Sequence, residues 1–132
     1  MNNQLIILRS PPGGGKSTYA MNHFPDFECF EADQWFSRNG EYKFDPTQLY
    51  HAHKWCQEQV KKSLMYGENV VVANTNVKLR DMLIYIDMAK ALDIPFRVIR
   101  LTTQFQNVHG VPAEKVRQMR EGMQPYPGEE IV

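Results

Sequence analysis

The chain has 132 residues, enough for one domain with a real core and too few for two domains of ordinary size. Fifteen basic and fifteen acidic residues give a formal net charge of zero, which excludes a broad basic footprint but leaves room for local basic clusters. No apolar run approaches the roughly 20 residues of a membrane helix, and the first residues lack the features of a signal peptide. We therefore expect a cytoplasmic protein that has no membrane partner.

The first recognisable feature is a phosphate-binding loop within residues 5–18, which read LIILRSPPGGGKST. The loop follows a continuous apolar run, and such a run fits a strand that is buried on both faces of a parallel sheet. Three consecutive glycines come next, Gly13, Gly14 and Gly15. Because glycine has no Cβ atom, their backbone N–H groups can converge on an anion at the start of the following helix. The pattern predicts a site for the phosphates of a nucleotide.

A lysine and two hydroxyl side chains follow the glycines. We expect Lys16 to contact the β- and γ-phosphates of ATP, Ser17 to bind Mg²⁺, and Thr18 to lie in the same nucleotide site. The usual pattern G-x-x-x-x-G-K-[ST] is broken once, because Ser10 stands where its first glycine belongs. A glycine-rich turn without a ligand is the alternative. The strand before the loop and the helix after it favour nucleotide binding.

Strand and helix signals alternate along the rest of the chain. An aromatic strand is predicted over residues 27–32, just before Asp33, and the turn signal within residues 35–45 indicates an exposed excursion. Two further apolar strands are predicted over residues 69–73 and 96–101. The alternation with helices predicts right-handed crossovers between parallel strands.

Three further helices complete the predicted pattern. Asp45 is expected to cap the first of them, with Pro46 at its first position and Gln48 completing a capping box. Asn76 is expected to cap the second, and Pro112 to open the last. The helical spacing predicts these buried positions: Leu49, Ala52, Cys56, Val60 and Leu64 in one helix, and Leu79, Met82, Leu83, Ile86, Ala89 and Leu92 in the next.

The predicted fold class is α/β, a three-layer P-loop kinase fold with a mostly parallel sheet of four or five strands. Residues 1–123 would form the kinase domain, and residues 124–132, rich in proline and glutamate, a frayed tail. Ligands of such sheets bind outside the carboxyl ends of the strands. The phosphate loop, Asp33, Asn74 with Thr75, and Arg100 are therefore expected along one edge.

With these motifs in order, the chain resembles the polynucleotide 5′-kinase group of small, AAA-type P-loop kinases. The resemblance runs from about Leu5 to Met123 and rests on the loop, on Asp33, on the residues after the third strand, and on N-x-H-G-V at residues 107–111. It implies ATP and Mg²⁺ bound through Lys16 and Ser17. It also implies that Asp33 is the general base for the 5′-hydroxyl of a DNA or RNA end. From the residues alone, capping of a turn by Asp33 is an equal alternative.

Two departures from the family concern the acceptor and the metal. Phe36 stands where the family has an arginine that contacts the nucleic-acid phosphate, so Trp35 and Phe36 are candidates to stack on a base, with burial as the alternative. The family's Asp-Thr-Asn is replaced by Asn74, Thr75 and Asn76. Asn74 would take part in the metal site by holding a Mg²⁺-bound water through its amide oxygen, without contributing a charge, and Thr75 would contact the substrate.

The third departure concerns the lid, which in the family carries paired arginines over the ATP phosphates. Only the short segment 101–106 fills that place here. The candidates to neutralise transition-state charge are Arg100 on the nucleotide, and Arg117 and Arg120 as catalytic residues on the last helix. A solvated helix face is the alternative for Arg117 and Arg120.

Three functions follow from these motifs. The first is an ATP-dependent kinase that phosphorylates the 5′-hydroxyl of a nucleic-acid end. The second is a kinase of a small hydroxyl acceptor, such as a nucleoside, nucleotide or metabolite, which suits the zero net charge better. The third is a non-catalytic ATP-binding module with a trimmed lid. Nothing in the sequence indicates an oligomeric state.

Overall fold

The computed structural model describes residues 2–103 and 111–132 and shows a parallel five-stranded sheet between helices. The strands are β1 (Leu5–Arg9), β2 (Glu28–Phe30), β3 (Val70–Val72), β4 (Phe96–Arg100) and β5 (Glu130–Ile131). The α-helices are α1 (Lys16–His23), α2 (Leu49–Met65), α3 (Leu79–Ala91) and α4 (Ala113–Glu121), and two 3₁₀ helices span Ala32–Ser37 and Pro46–Gln48. The predicted three-layer α/β class is confirmed.

The strand order β2-β3-β1-β4-β5 places β1 at the centre of the sheet. Leu5 of β1 is in register with Val70 of β3 on one side and with Phe96 of β4 on the other. The helices that follow the adjacent strands β1 and β3 pack on opposite faces, α1 on one and α3 on the other. Such a topological switch point opens a crevice at the carboxyl ends of the strands. The glycine-rich loop after β1 lies at this crevice.

Both faces of the sheet are covered by apolar side chains, which explains the continuous apolar run of β1. Leu5 and Ile7 join the cluster formed with α2 and α3, whereas Ile6 and Leu8 join the cluster that contains Ala20 of α1. Successive side chains of a strand point to opposite faces, so a strand covered on both sides has no polar positions to alternate with.

The helical stripes are confirmed at most positions, with three differences. Leu49 is 40% exposed at the first turn of α2, and Leu83 is 46% exposed on α3. Tyr85, which the stripe did not include, is buried instead. Its hydroxyl lies 3.5 Å from the amide nitrogen of Asn74, so a polar contact stabilises a position that a purely apolar pattern misses.

The predicted helix caps differ from those in the structure. The Asp45 side chain accepts a hydrogen bond from the backbone N–H of Thr47 at 3.0 Å and starts the short 3₁₀ helix that precedes α2. Lys78 is the N-cap residue of α3, so the expected cap by Asn76 is wrong. Asn76 has a φ of +50° and its side chain donates to the backbone oxygen of Leu8 at 2.8 Å. A side chain turned toward β1 cannot cap α3.

The C-terminal residues pair with the sheet, so the expectation of a frayed tail is wrong. β5 runs parallel to β4, with Glu130 opposite Ile99 and Ile131 opposite Arg100. β5 pairs with the last two residues of β4, whose backbone groups would otherwise lie unpaired at the sheet edge. Two residues are too few for a periodicity signal, which is why the sequence pattern did not reveal this strand. In the described part of the chain, no helix is long and apolar enough to cross a bilayer.

Candidate nucleotide and phosphoryl-transfer site

The glycine-rich loop has the backbone conformation that a phosphate cradle requires. Gly13 and Gly15 have φ values of +83° and +78°, and Gly15 is the N-cap residue of α1. A Cβ atom on Gly14 would lie 2.1 Å from the Oγ atom of Ser10. Ser10 is fully buried beneath the loop, and Gly14 leaves the space that its side chain fills. The serine at the first position of the motif is therefore accommodated within the loop.

Lys16 lies in this cradle and carries a desolvated ammonium group. Its Nζ atom donates hydrogen bonds to the backbone oxygen of Ser10 at 3.1 Å, to Ser10 Oγ at 3.3 Å and to the backbone oxygen of Pro11 at 3.4 Å. Burial lowers the pKa of Lys16 to about 8, and the negative charge of Glu31 partly opposes this effect. An anionic phosphate would favour the charged form of the lysine far more than these neutral oxygens do.

The loop residues fit a nucleoside triphosphate and the metal ion that it carries. Ser17 and Thr18 are exposed in the first turn of α1, beside the backbone N–H groups of the loop. In the part of the chain that the structure describes, no group of three or more His, Cys, Asp or Glu residues could hold a metal. Ser17 would hold Mg²⁺ together with phosphate oxygens of the nucleotide.

Asp33 follows β2 in the first 3₁₀ helix, Ala32–Ser37, and is half-buried. Its Oδ1 atom accepts a hydrogen bond of 2.8 Å from the hydroxyl of Tyr42. Among the described hydrogen bonds, none joins Asp33 to a backbone N–H of its own turn, so the capping alternative has no support here. Because β1 and β2 are parallel strands of one sheet, Asp33 and the phosphate loop lie at the same edge.

Asn74 attaches the first 3₁₀ helix to the end of β3. Its Oδ1 atom accepts a hydrogen bond of 2.8 Å from the backbone N–H of Ala32, and its Nδ2 atom lies 3.5 Å from the hydroxyl of Tyr85 and 3.8 Å from the sulfur of Cys56. The side chain is buried. This geometry favours a role in positioning Asp33 over the predicted role as a metal ligand. Thr75 follows directly and is half-buried at the same edge.

The two aromatic residues proposed for base stacking have different environments. Phe36 is 4% exposed and packs in the core, so the alternative of burial is correct for Phe36. Trp35 is half-buried, and the guanidinium carbon of Arg38 lies 3.5 Å from the centroid of its ring. One face of Trp35 is therefore already covered by a cation.

The three candidate arginines also differ. Arg117 is 57% exposed and forms ion pairs with Glu114 and Glu121 on its own helix, so a solvated helix face describes it best. Arg120 donates a hydrogen bond of 3.2 Å to the backbone oxygen of Thr102, just past the carboxyl end of β4. Arg120 thus lies near the carboxyl end of β4, whereas the charge of Arg117 is paired on its own helix.

A buried ion pair that the sequence analysis missed lies beside the third candidate, Arg100. Arg9 is fully buried, and its guanidinium group donates to Glu129 Oε1 at 2.9 Å and to the backbone oxygens of Asn76 and Val77. Arg100 lies 3.7 Å from the other oxygen of Glu129. Burial lowers the pKa of Arg9, and Glu129 opposes this effect. Glu129 therefore joins the C-terminal segment to the ends of β1 and β4.

Residues 107–110 of the N-x-H-G-V pattern lie outside the described residues, as does the end of the segment that replaces the lid.

Comparison with known proteins agrees with this architecture. The family model described as AAA domain matches residues 5–123. The chain belongs to this family. The AAA domain is 30% identical over 135 residues to NEDD4-binding protein 2 of Homo sapiens, covering 92% of this chain but only 8% of the human protein. It is 28% identical to the uncharacterized protein PM0531 of Pasteurella multocida (strain Pm70), over 87% of this chain and 73% of that protein.

Solved structures share the fold of this AAA domain. A putative kinase from Chloroflexus aurantiacus superposes with a TM-score of 0.69 and 14% identity, over all of this chain and 87% of its own. A chain of the Pnkp1/Rnl/Hen1 complex superposes with a TM-score of 0.63 and 20% identity, over 97% of this chain and 42% of its own. The AAA domain thus has a P-loop kinase-like fold.

Proposed function

We propose that this AAA domain is an ATP- and Mg²⁺-dependent kinase whose preferred acceptor is the 5′-hydroxyl of a DNA or RNA end. The observation that carries the proposal is the position of Lys16 and Asp33 at one edge of the sheet. Lys16 is held in a glycine cradle with a lowered pKa, and the charge of Glu31, two residues before Asp33, acts on that same lysine. A candidate phosphate site and a candidate carboxylate base therefore lie at the same edge of the sheet, which supports the proposal.

The residues present supply the groups that phosphoryl transfer requires. The loop and Lys16 bind and orient the phosphates and offset their charge, while Ser17 contributes a ligand to the metal ion. The oxygen of the acceptor hydroxyl bonds to the γ-phosphorus while Asp33 accepts the proton of that hydroxyl. The bond between the γ-phosphorus and the oxygen that bridges it to the β-phosphate breaks, which releases ADP. Alignment and charge neutralisation account for most of the catalysis in such reactions.

Arg120 and Arg100 are the candidates to replace the missing lid arginines. Arg120 already reaches the carboxyl end of β4, and Arg100 ends that strand. Arg100 lies 3.7 Å from Glu129 and is restrained by that ion pair. Arg120 comes first because its hydrogen bond to the backbone oxygen of Thr102 joins α4 to the carboxyl end of β4.

A small hydroxyl acceptor is the second candidate, favoured by one observation. A cavity of about 330 Å³ lies beside the first 3₁₀ helix, within the size range of small-molecule sites. Trp35 and Arg38 line it together with Lys43 and Gln48 from the excursion and the start of α2. A cavity of this size could hold a nucleoside or sugar against the 3₁₀ helix that carries Asp33, although Asp33 itself does not line it.

The test is a single-turnover incubation with γ-labelled ATP and Mg²⁺ in the presence of separate acceptors. Oligonucleotides of DNA and RNA with a 5′-hydroxyl form one set, and nucleosides, nucleotides and sugars the other. We expect label on the oligonucleotide ends, and an apparent affinity for them that falls with increasing salt. Label only on a small acceptor would show that the kinase acts on a small hydroxyl compound rather than on a nucleic-acid end. The absence of label from every acceptor would indicate a non-catalytic ATP-binding module.

Asp33→Asn separates chemistry from binding in the same assay. General-base groups contribute about 10²- to 10⁴-fold to rate, so turnover should fall within that range. ATP affinity should stay nearly unchanged, because Asp33 lies on the acceptor side of the site. A variant that lost ATP binding and thermal stability together would assign Asp33 a structural role instead.

A further inference from the structure

The excursion between β2 and α2 folds back onto the helix that carries Asp33. The backbone N–H of Lys43 donates to the backbone oxygen of Phe36 at 2.9 Å. The rings of Tyr42 and Phe44 contact the buried ring of Phe36 edge-on, with centroids 6.5 Å and 5.1 Å away. The excursion is exposed to solvent but anchored to the core through Phe36, so the ring of Tyr42 has a defined place.

This anchoring sets the phenol of Tyr42 against the candidate base. The hydroxyl donates to Oδ1 of Asp33 at 2.8 Å. Burial, this hydrogen bond and the charges of Asp33 and Glu31 raise the pKa of Tyr42 to about 12, in that order of importance. The phenol is therefore protonated at any physiological pH and acts only as a donor to the carboxylate. The phenol takes up one acceptor position of Oδ1, whereas none of the described hydrogen bonds reaches Oδ2, which is the more open oxygen for a substrate.

We propose that Tyr42 is a positioning residue that orients the carboxylate of Asp33, so that Oδ2 accepts the proton of the acceptor hydroxyl. The inference rests on the proposed function and adds a residue to its machinery. A half-buried aspartate can sample more than one rotamer, and a donor fixed by a neighbouring segment restricts it to one. Misplacement of a reacting group by about 1 Å can cost about 10²-fold in rate, so an anchored donor has a measurable effect.

The hydroxyl of Tyr42 is not needed for the packing of its ring. Tyr42 is 50% exposed, and the packing of its ring against Phe36 does not involve the hydroxyl. Removal of the hydroxyl leaves the ring, the backbone bond of Lys43 and the core contact in place. Its loss should therefore alter the orientation of Asp33 while leaving the melting temperature nearly unchanged.

The experiment compares Tyr42→Phe with wild type for turnover, ATP affinity and thermal stability. We expect turnover to fall by about tenfold, a fraction of the full general-base contribution, with unchanged ATP affinity and melting temperature. The matched control is Tyr66→Phe, which removes a hydroxyl from a 73% exposed tyrosine at the end of α2 and should leave all three quantities unchanged. In the double variant with Asp33→Asn, Tyr42→Phe should cause no further loss, because its effect acts through that carboxylate.

Each outcome bears on one proposal. Turnover of Tyr42→Phe within about twofold of wild type, or an additive loss in the double variant, would overturn the positioning role. Faster turnover would also overturn it, because the phenol would then compete with the acceptor for the base. Inactivity of the wild type with every acceptor, or full activity of Asp33→Asn, would instead overturn the proposed function itself.

Discussion

The two halves of the crevice are held by different forces. The nucleotide half consists of residues 10–18 with the ion pairs of Glu129, and it depends on glycine backbone conformations and on buried charges. The acceptor half consists of the first 3₁₀ helix and residues 38–45. Two hydrogen bonds from uncharged donors hold it, one from the backbone N–H of Ala32 to Asn74 and one from the hydroxyl of Tyr42 to Asp33. Removing one partner of a buried ion pair costs about 3–5 kcal/mol, whereas a single hydrogen bond contributes about 1 kcal/mol. Substitutions in the acceptor half should therefore alter turnover without unfolding the protein.

The largest effect is expected in the nucleotide half itself. Lys16→Ala removes the cation from the cradle and should reduce ATP binding below calorimetric detection, while the fold remains intact by circular dichroism. Lys90→Ala, on an exposed turn of α3, is the control and should bind ATP as wild type does. Equal binding of ATP and Mg²⁺ by Lys16→Ala and wild type would refute the phosphate loop.

The second effect is on stability and tests whether the buried ion pair of Glu129 stabilises the nucleotide half. Glu129→Ala leaves Arg9 buried without a counter-charge and should lower the free energy of unfolding by about 3–5 kcal/mol. Glu130→Ala breaks the neighbouring pair with Arg97, whose side chains are 45% and 46% exposed, and should cost less than about 1 kcal/mol. Equal losses in urea unfolding would show that burial does not distinguish the two pairs.

The third effect tests the tether of the acceptor half. Asn74→Ala leaves the backbone N–H of Ala32 without its partner, which should cost about 1–3 kcal/mol of stability. Because the first 3₁₀ helix carries Asp33, turnover should also fall, by about 10²-fold, with ATP affinity unchanged. If Mg²⁺ affinity fell instead, and excess Mg²⁺ restored turnover, the role of Asn74 would be that of a metal ligand.

The fourth effect is a pH dependence of nucleotide binding. Lys16 has a pKa of about 8, so it loses its charge as the pH rises above that value, and phosphate binding requires the charged form. ATP affinity should be nearly constant from pH 6.5 to 7.5. It should then weaken about tenfold from pH 8 to a pH of about 9.3. Lys16→Arg, which stays charged, should give a flat profile over the same range. A flat profile for wild type would show that the lysine is not the titrating group.

The smallest effect separates two arginines of α4. Arg117→Gln should change single-turnover rates by less than about twofold, because Glu114 and Glu121 already neutralise this exposed guanidinium. Arg120→Gln should lower the single-turnover rate by more than twofold, because removing this guanidinium removes a positive charge that stabilises the transition state in the proposed mechanism. A larger loss in Arg117→Gln than in Arg120→Gln would contradict the assignment of Arg117 to the solvated face.

Local sequence patterns predicted the strand, the glycine-rich loop and the helix of residues 5–18, and long-range contacts explain what they missed. The glycine conformations and the strand-loop-helix order depend on neighbouring residues, so residues 5–18 carry the whole signal. The bond from Tyr42 to Asp33 and the one from Ala32 to Asn74 join residues 9 and 42 positions apart. The pair of Arg9 and Glu129 spans 120 positions. No local pattern indicates which of several polar residues will meet across such distances.

The amino-acid sequence by itself determined the α/β class, the parallel strands and the phosphate loop, because apolar periodicity and glycine geometry act over a few residues. The tertiary structure decided that Phe36 is core, that β5 pairs with the end of β4, and that Arg117 is neutralised on its own helix. It also decided that Asn74 holds the helix of Asp33 and that Tyr42 reaches its carboxylate. These outcomes depend on which side chains the packing of distant segments brings within hydrogen-bonding or ion-pair distance, and that choice is made only when the sheet and its helices come together.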